Sequence, residues 1–442
     1  MMQATVIGAG LAGSEAAWQL ACRGIEVRLL EMKPRQKSPA HKMDTLAELV
    51  CSNSFRSGEL TNAAGLLKEE LRRLGSLIVA CADATQVDAG GALAVDRQAF
   101  SHLVTQRLRQ HPRVHIEEER VDAIPESGHV IVATGPLTEG PLAQNMMEWL
   151  GEEEALSFYD AAAPIVSGAS LDMDKAYFAS RYGKGTGLDY INCPMDKEQY
   201  LAFWQELCQA EEAPVHGFED KRVFEGCMPV EVMARRGEDT LRFGPLKPIG
   251  LPDPKTGKEP YAVVQLRREN SQGTMYNLVG FQTHLRFPEQ KRVFSMIPGL
   301  EKAEFLRYGV MHRNSYLCSP RVLDGFYRAK KDPRVMFAGQ MTGVEGYVES
   351  TASGFACGLN MARSMLGLPL LEFSTQTAIG ALSRHISCYE GKNFQPMNIN
   401  FGLIDGLDRR VKGKRERYME ISQRSLEQIE AYRNTVMEGT TE

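Results

Sequence analysis

The nine cysteines of this chain are scattered, and the closest two, Cys193 and Cys208, lie fifteen positions apart. No C-x-x-C pair exists, so neither a zinc site nor a thioredoxin-like redox motif is expected, and no metal is assigned. No apolar run approaches the length of a membrane span. The N-terminus lacks a basic stretch and an apolar signal core, because a strand pattern begins almost at once. These absences predict a soluble, cytoplasmic protein whose thiols stay mostly reduced. A basic excess is missing too: 51 Lys and Arg stand against 56 Asp and Glu, a formal charge of −5. Any nucleic acid would therefore have to be held by a local patch. No internal repeat or low-complexity segment occurs. A length of 442 residues leaves room for two or three domains.

What is present begins at the start. An apolar strand pattern over residues 4–7 runs into Gly8-Ala9-Gly10-Leu11-Ala12-Gly13, and a helical pattern follows from Ser14 to Arg23. In a dinucleotide fold Gly8 makes the tight turn, Gly10 lets a pyrophosphate approach the backbone and Gly13 lets helix and strand pack closely. The uncapped N–H groups of the helix then face the diphosphate. A second strand, Ile25 to Leu30, ends in Glu31, an acid placed to bind ribose hydroxyls and to repel a 2′-phosphate. Strand, glycines, helix, strand and acid in this order are far more specific than the glycines alone. A buried strand from Val130 closes on Ala133-Thr134-Gly135, and a late strand from Pro333 ends in Gly339-Gln340, with glutamine where an acid is usual. Together they favour FAD over NAD as the dinucleotide.

Between these ends the texture changes. From about Pro164 aromatic, polar and strand-like stretches replace the βαβ rhythm. The expected fold is α/β: a discontinuous Rossmann-like FAD-binding domain with an inserted α+β domain. The expected division is 1–165 for the first part of the FAD domain, 166–311 for the insert on the substrate side, and 312–442 for the second part with a basic C-terminal helix. A helix is also expected through Thr45 to Val50, before a polar turn at Cys51-Ser52-Asn53-Ser54-Phe55-Arg56.

Several residues could carry chemistry, and each has a plain structural alternative. Cys51 opens a polar turn with Arg56 near enough in sequence to favour a thiolate, and Cys227 sits in a Gly- and Pro-shaped loop; a buried cysteine is more often a small hydrophobe. His284 could stack on a flat ligand or move a proton, or be a hydrogen-bonded structural histidine. Tyr347 follows the late glycines, where packing is the alternative. Arg409, Arg410, Lys412, Lys414, Arg415 and Arg417 could hold phosphates or form a solvated face.

These stretches together resemble the folate- and FAD-dependent tRNA (uracil-5-)-methyltransferases, the TrmFO family. The resemblance rests on Val6–Glu31, His41–Arg56, Glu225–Glu231 with Glu-Gly-Cys-Met-Pro-Val-Glu, Arg242–Pro248, Phe281–His284, Met311–Tyr316 and Phe337–Gly354. The Ala338-Gly339-Gln340 motif is also similar to that of the larger MnmG flavoproteins, whose additional C-terminal helical domain this chain is too short to contain. The resemblance implies methylation of the T-loop uridine of tRNA at C5. The carbon would come from 5,10-methylenetetrahydrofolate, with FAD reduced by NADH or NADPH and carrying the methylene group. It implies Cys227 as the nucleophile on uracil C6 and Cys51 at the flavin, protecting or releasing the methylene or removing the C5 proton. It further implies Tyr347 in a proton relay, His284 stacked on the folate pterin, and RNA phosphates on the insert and the basic tail. The same chemistry on a ribosomal RNA uridine, a small-molecule flavin oxidoreductase and a non-catalytic flavin-binding regulator are the alternatives. Oligomeric state is not legible from these features.

Overall fold

The computed structural model describes residues 2–38, 40–151, 156–213, 228–391 and 394–440. Its central sheet has five parallel strands. Gln3–Ile7 lies in the middle, flanked by Glu26–Glu31 and Val114–Glu118 on one side and by His129–Val132 and Val335–Phe337 on the other. The outer strand on that last side comes from the far end of the chain. Parallel strands covered on both faces read as apolar runs, which is why Val6, Val27, Leu29, Val130, Ile131 and Val132 are all buried.

The helix Leu11–Ala21 follows the first strand, and the late helix Tyr347–Met365 lies against it. Small residues set how close they come. A Cβ on Gly354 would stand 2.2 Å from the Ala12 carbonyl oxygen, and one on Gly358 would stand 2.6 Å from that of Ala16. Glycine at these two positions lets the helix backbones meet. The late helix begins at Tyr347, directly after Gly346.

Residues 165–307 build a second, six-stranded sheet, antiparallel throughout. Its order is Tyr177–Phe178, Tyr190–Met195, Ala262–Arg268, Met275–Leu278, Ile165–Ser167 and Phe305–Arg307. The helix Lys197–Gln209 covers it, capped by Asp196 and Gln199 in a reciprocal capping box. A two-stranded antiparallel ribbon, Leu156–Ala161 with Met311–Tyr316, carries the chain into this unit and back. The expected fold class, a Rossmann-like α/β fold with an inserted α+β unit, is the one observed.

One expected element is absent. Thr45 to Val50 is not helical, because its backbone groups are committed to distant partners. Ala47 N–H donates to the Ala9 carbonyl at 2.8 Å, Leu46 N–H to Thr105 Oγ1 at 2.9 Å, and the Leu46 carbonyl accepts from Ser101 Oγ at 2.6 Å. The segment bends beside the glycine turn, with Ala47 at φ 50°, and delivers Cys51 to the same region.

Among the described residues no helix is long and apolar enough to cross a membrane.

Candidate active site

The glycine turn has the geometry its spacing predicts. Gly8 takes φ 93°, and a Cβ on Gly13 would stand 1.8 Å from the Gly8 carbonyl oxygen. Gly10 differs: it sits at φ −70°, and a Cβ there meets nothing within 4 Å. The helix that starts after it has no side-chain cap. Glu31 is fixed by two backbone donors, Ala9 N–H on Oε2 at 2.8 Å and Lys33 N–H on Oε1 at 3.0 Å. Each carboxylate oxygen keeps lone-pair capacity for a further hydroxyl.

Ala133, Thr134 and Gly135 form the adjacent wall. Thr134 Oγ1 lies 2.7 Å from Thr138 Oγ1, and Gly135 takes φ 79°. Gly339 contributes φ 86° and donates its N–H to Ser353 Oγ at 2.7 Å, while Gln340 Nε2 donates to Glu345 Oε2 at 2.6 Å. The late helix also begins without a side-chain cap, at Gly346. Two uncapped helix N-termini thus border one cavity of about 480 Å³, and both present positive dipole ends to it, as an anionic ligand would favour. This open, uncapped cradle fits a dinucleotide.

The cavity does not end at the dinucleotide cradle. Cys51, Tyr347, Arg267 and Gln282 line it as well. Tyr347 Oη accepts from Cys51 N–H at 2.9 Å and from Ser52 N–H at 3.1 Å. Burial, first, and the neighbouring Cys51, second, push the Tyr347 phenol above its ordinary value, so it stays protonated. With two N–H donors on its oxygen, its own hydrogen is what it has left to donate. Three arginines hold the rest of the turn. Arg267 donates to Ser52 Oγ at 2.8 Å and Asn53 Oδ1 at 3.0 Å, Arg307 to the Cys51 carbonyl at 3.2 Å, and Arg97 to the Leu49 carbonyl. Arg56, expected to act on Cys51, is instead paired with buried Glu349.

Cys227 lies outside the described residues. The end of its motif is described and is tied to the turn at 282–284. Val230 N–H donates to the Gln282 carbonyl at 2.7 Å. Buried Glu231 accepts from His284 N–H at 2.7 Å and from Thr283 Oγ1 at 2.9 Å, and burial raises its carboxyl to about 7. His284 is only 8% exposed, lies with Nδ1 3.5 Å from Glu212 Oε2, and does not line the cavity, although its neighbour Gln282 does.

The basic cluster is exposed at the start of the helix Lys414–Met437. Arg409 pairs with Glu420 at 2.8 Å. Lys414 and Arg417 lie over the ring of Tyr418, which stacks on Phe401 at 4.0 Å between centroids. The cluster is not part of the cavity wall.

Arg97, Arg267 and Arg307 escaped the sequence reading. The one signal for Arg267 is its place at the end of a largely apolar strand pattern, Tyr261 to Arg267, since a charged residue that such a strand carries inside is rarely buried without a partner.

With this geometry in place, comparison with known proteins adds the following. The model of the family described as "Glucose inhibited division protein A" matches residues 3–369. A protein of Acetivibrio thermocellus is 60% identical over 427 residues, and one of Lactobacillus gasseri is 58% identical over 429. Each alignment covers 97% of this chain and 98% of the relative, and both are named methylenetetrahydrofolate–tRNA-(uracil-5-)-methyltransferase TrmFO. Among solved structures, GidA of Aquifex aeolicus is similar with a TM-score of 0.72 at 15% identity, covering 100% of this chain and 74% of that one. That last likeness carries the fold alone.

Proposed function

The chain belongs to the TrmFO family of methylenetetrahydrofolate–tRNA-(uracil-5-)-methyltransferases, and on that premise we propose that it methylates C5 of a tRNA uridine. The carbon comes from methylenetetrahydrofolate. The T-arm uridine is the proposed target, and NADH or NADPH the proposed reductant. One observation carries the reading: a single cavity joins the dinucleotide cradle at Gly8–Gly13 to the Cys51–Tyr347 turn and to Gln282 of the insert.

FAD, when bound, supplies the two electrons that separate a methylene from a methyl group. The chain's own residues do the rest. Gly8, Ala9, Gly10, Leu11, Ala12 and Gly13 hold the diphosphate and Glu31 a ribose. Ala133, Thr134, Gly135, Gly339 and Gln340 border the same ligand. Residues 1–165 and 312–442 together make this unit, and 166–311 present folate and RNA to it.

Cys227 is the proposed nucleophile. Its thiolate bonds to uracil C6, and the C5–C6 π pair makes C5 nucleophilic towards the donated carbon. Loss of the C5 proton, cleavage of the carbon's bond to its donor nitrogen with the two electrons FAD would supply, and cleavage of the sulfur–C6 bond then leave a methyl group on C5 and restore the double bond. The described end of that motif, Val230 and Glu231, is anchored to the turn at Gln282–His284, of which Gln282 lines the cavity. Cys51 is assigned the C5 proton, with Tyr347 as the acid that passes it on. His284, behind Gln282, is assigned to the folate side. Arg409, Arg410, Lys412, Lys414, Arg415 and Arg417 are assigned to RNA phosphates, the base being extruded to reach the cavity.

The test uses the purified yellow protein with unmodified tRNA, labelled methylenetetrahydrofolate and NADH or NADPH, and maps labelled 5-methyluridine. Label at the T-arm uridine supports the reading. Flavin reduction without label in RNA overturns it, and a Cys227→Ala protein that still methylates removes the nucleophile assignment.

A further inference from the structure

The Cys51 turn carries an unbalanced charge. The groups that face it are Arg97 at the start of the helix Arg97–Gln110, Arg267 and Glu269 from the strand Ala262–Arg268 and the turn after it, Arg307 from the strand Phe305–Arg307, and Tyr347 from the late helix. Arg97 pairs with Glu269 at 2.8 Å, and Glu269 is 2% exposed. Arg307 has no ion pair among the described residues. Its Nη2 reaches the Cys51 carbonyl at 3.2 Å, and its buried Nε has no hydrogen-bond partner. Arg267 is spent on the neutral Ser52 and Asn53 side chains. Since Tyr347 is a neutral phenol, the three guanidiniums face a single carboxylate among the described residues.

Burial, first, and the like charge of Arg97, second, pull the Arg307 guanidinium below its ordinary value. Glu269, Cys51 and Tyr347 are the groups that act the other way. The thiol is the group of this set whose ionisation at neutral pH would supply the missing negative charge, because an opposite charge nearby favours the ionised form.

We propose that Arg307, with Arg97 behind it, is a positioning residue that keeps Cys51 as a thiolate, its proton released to water through the cavity. This rests on the reading of Cys51 as a reacting thiol, but its test does not. A neutral residue at 307 leaves less positive charge beside the sulfur. A neutral residue at 269 leaves more.

The measurement is the pH dependence of Cys51 alkylation by iodoacetamide in the flavin-containing protein, read on the Cys51 peptide by mass spectrometry. Exposed Cys388 serves as the internal reference. Arg307→Met is expected to raise the Cys51 midpoint by about one unit, which slows alkylation about tenfold at pH values well below both midpoints and by less at pH 7, where the wild-type thiol is already ionised. Arg307→Lys should stay near wild type, and Glu269→Gln should move the midpoint down. The Cys388 midpoint should not move in any variant. An unshifted Cys51 midpoint in Arg307→Met, or a rise in Glu269→Gln, overturns the proposal. Should Arg307→Met fail to fold, the Glu269→Gln shift decides alone. A Cys51→Ala enzyme that still methylates would sink the catalytic reading and leave the acidity result standing.

Discussion

Replacing Gly10 with alanine separates what the glycine turn does for a ligand from what it does for the fold. The backbone there is at φ −70° and ψ −167°, which alanine adopts without strain, and the added Cβ meets no protein atom within 4 Å. The ligand-stripped protein should therefore keep its stability. It should even gain about 0.4–1 kcal/mol, because alanine has less freedom than glycine in the unfolded chain. The same methyl group projects into the cavity at the start of the uncapped helix, where the diphosphate is proposed to lie. Each hydrogen bond to a charged group that is lost there costs about 1.5–3 kcal/mol. One or two such losses raise the FAD dissociation constant roughly ten- to ten-thousandfold. Gly13→Ala is the contrast, since its Cβ would stand 1.8 Å from the Gly8 carbonyl oxygen and must break the turn. The assay pairs the melting temperature of the stripped protein with FAD titration followed by flavin fluorescence. Gly10→Ala should lose affinity and keep its melting temperature, while Gly13→Ala should lose both. A wild-type FAD affinity in Gly10→Ala, or a drop of several degrees in its ligand-free melting temperature, refutes the reasoning.

Tyr347→Phe leaves the Cys51 and Ser52 N–H groups without their acceptor; an unmet buried donor costs about 1–3 kcal/mol, so both Tm and methylation should fall, and an unchanged Tm would contradict the bonding described. Glu70 ties three helices together, accepting from Ala378 and Ile379 N–H at 2.7 and 3.0 Å and from Ser425, and burial, the largest influence, raises its carboxyl from 4.5 to about 7. A raised carboxyl contributes stability that is full below pH 4.5 and is lost as pH rises through 7, so the wild-type Tm should decline relative to Glu70→Gln between pH 5 and 8; parallel curves would count against it. Lys412→Glu with Arg415→Glu should weaken tRNA binding and flatten its salt dependence by about one slope unit per lost phosphate contact, with flavin content unchanged; unaltered salt slopes would move the RNA elsewhere.

Local patterns were readable because their causes are local. Asp96, an acid directly before a helical pattern, caps it by accepting from Gln98 and Ala99 N–H at 3.1 and 3.0 Å, and the glycine spacing led to the turn at Gly8. The supposed helix through Thr45 to Val50 failed because its partners, Ala9, Ser101 and Thr105, come from other parts of the chain. The surroundings of Cys51 were misjudged for the same reason. Arg56 is its neighbour in sequence, yet its guanidinium goes to Glu349, while Arg267 and Arg307 arrive from more than two hundred residues away. Sequence proximity is a poor guide to the field around a side chain once an inserted sheet folds back over it.

The close fit of the late helix on the first one also sets an order of events during synthesis. The strands Gln3–Ile7, Glu26–Glu31, Val114–Glu118 and His129–Val132 can associate once the first third of the chain has emerged. The apolar and small-residue face of Leu11–Ala21 then waits for Tyr347–Met365, which starts about 215 residues after Val132. At ~5–20 residues per second that is roughly 11–43 s during which a nascent sheet lacking its last strand shows an uncovered helix to the ribosome's surroundings. The flavin cradle is thus among the first parts of the molecule to be translated and among the last to be closed.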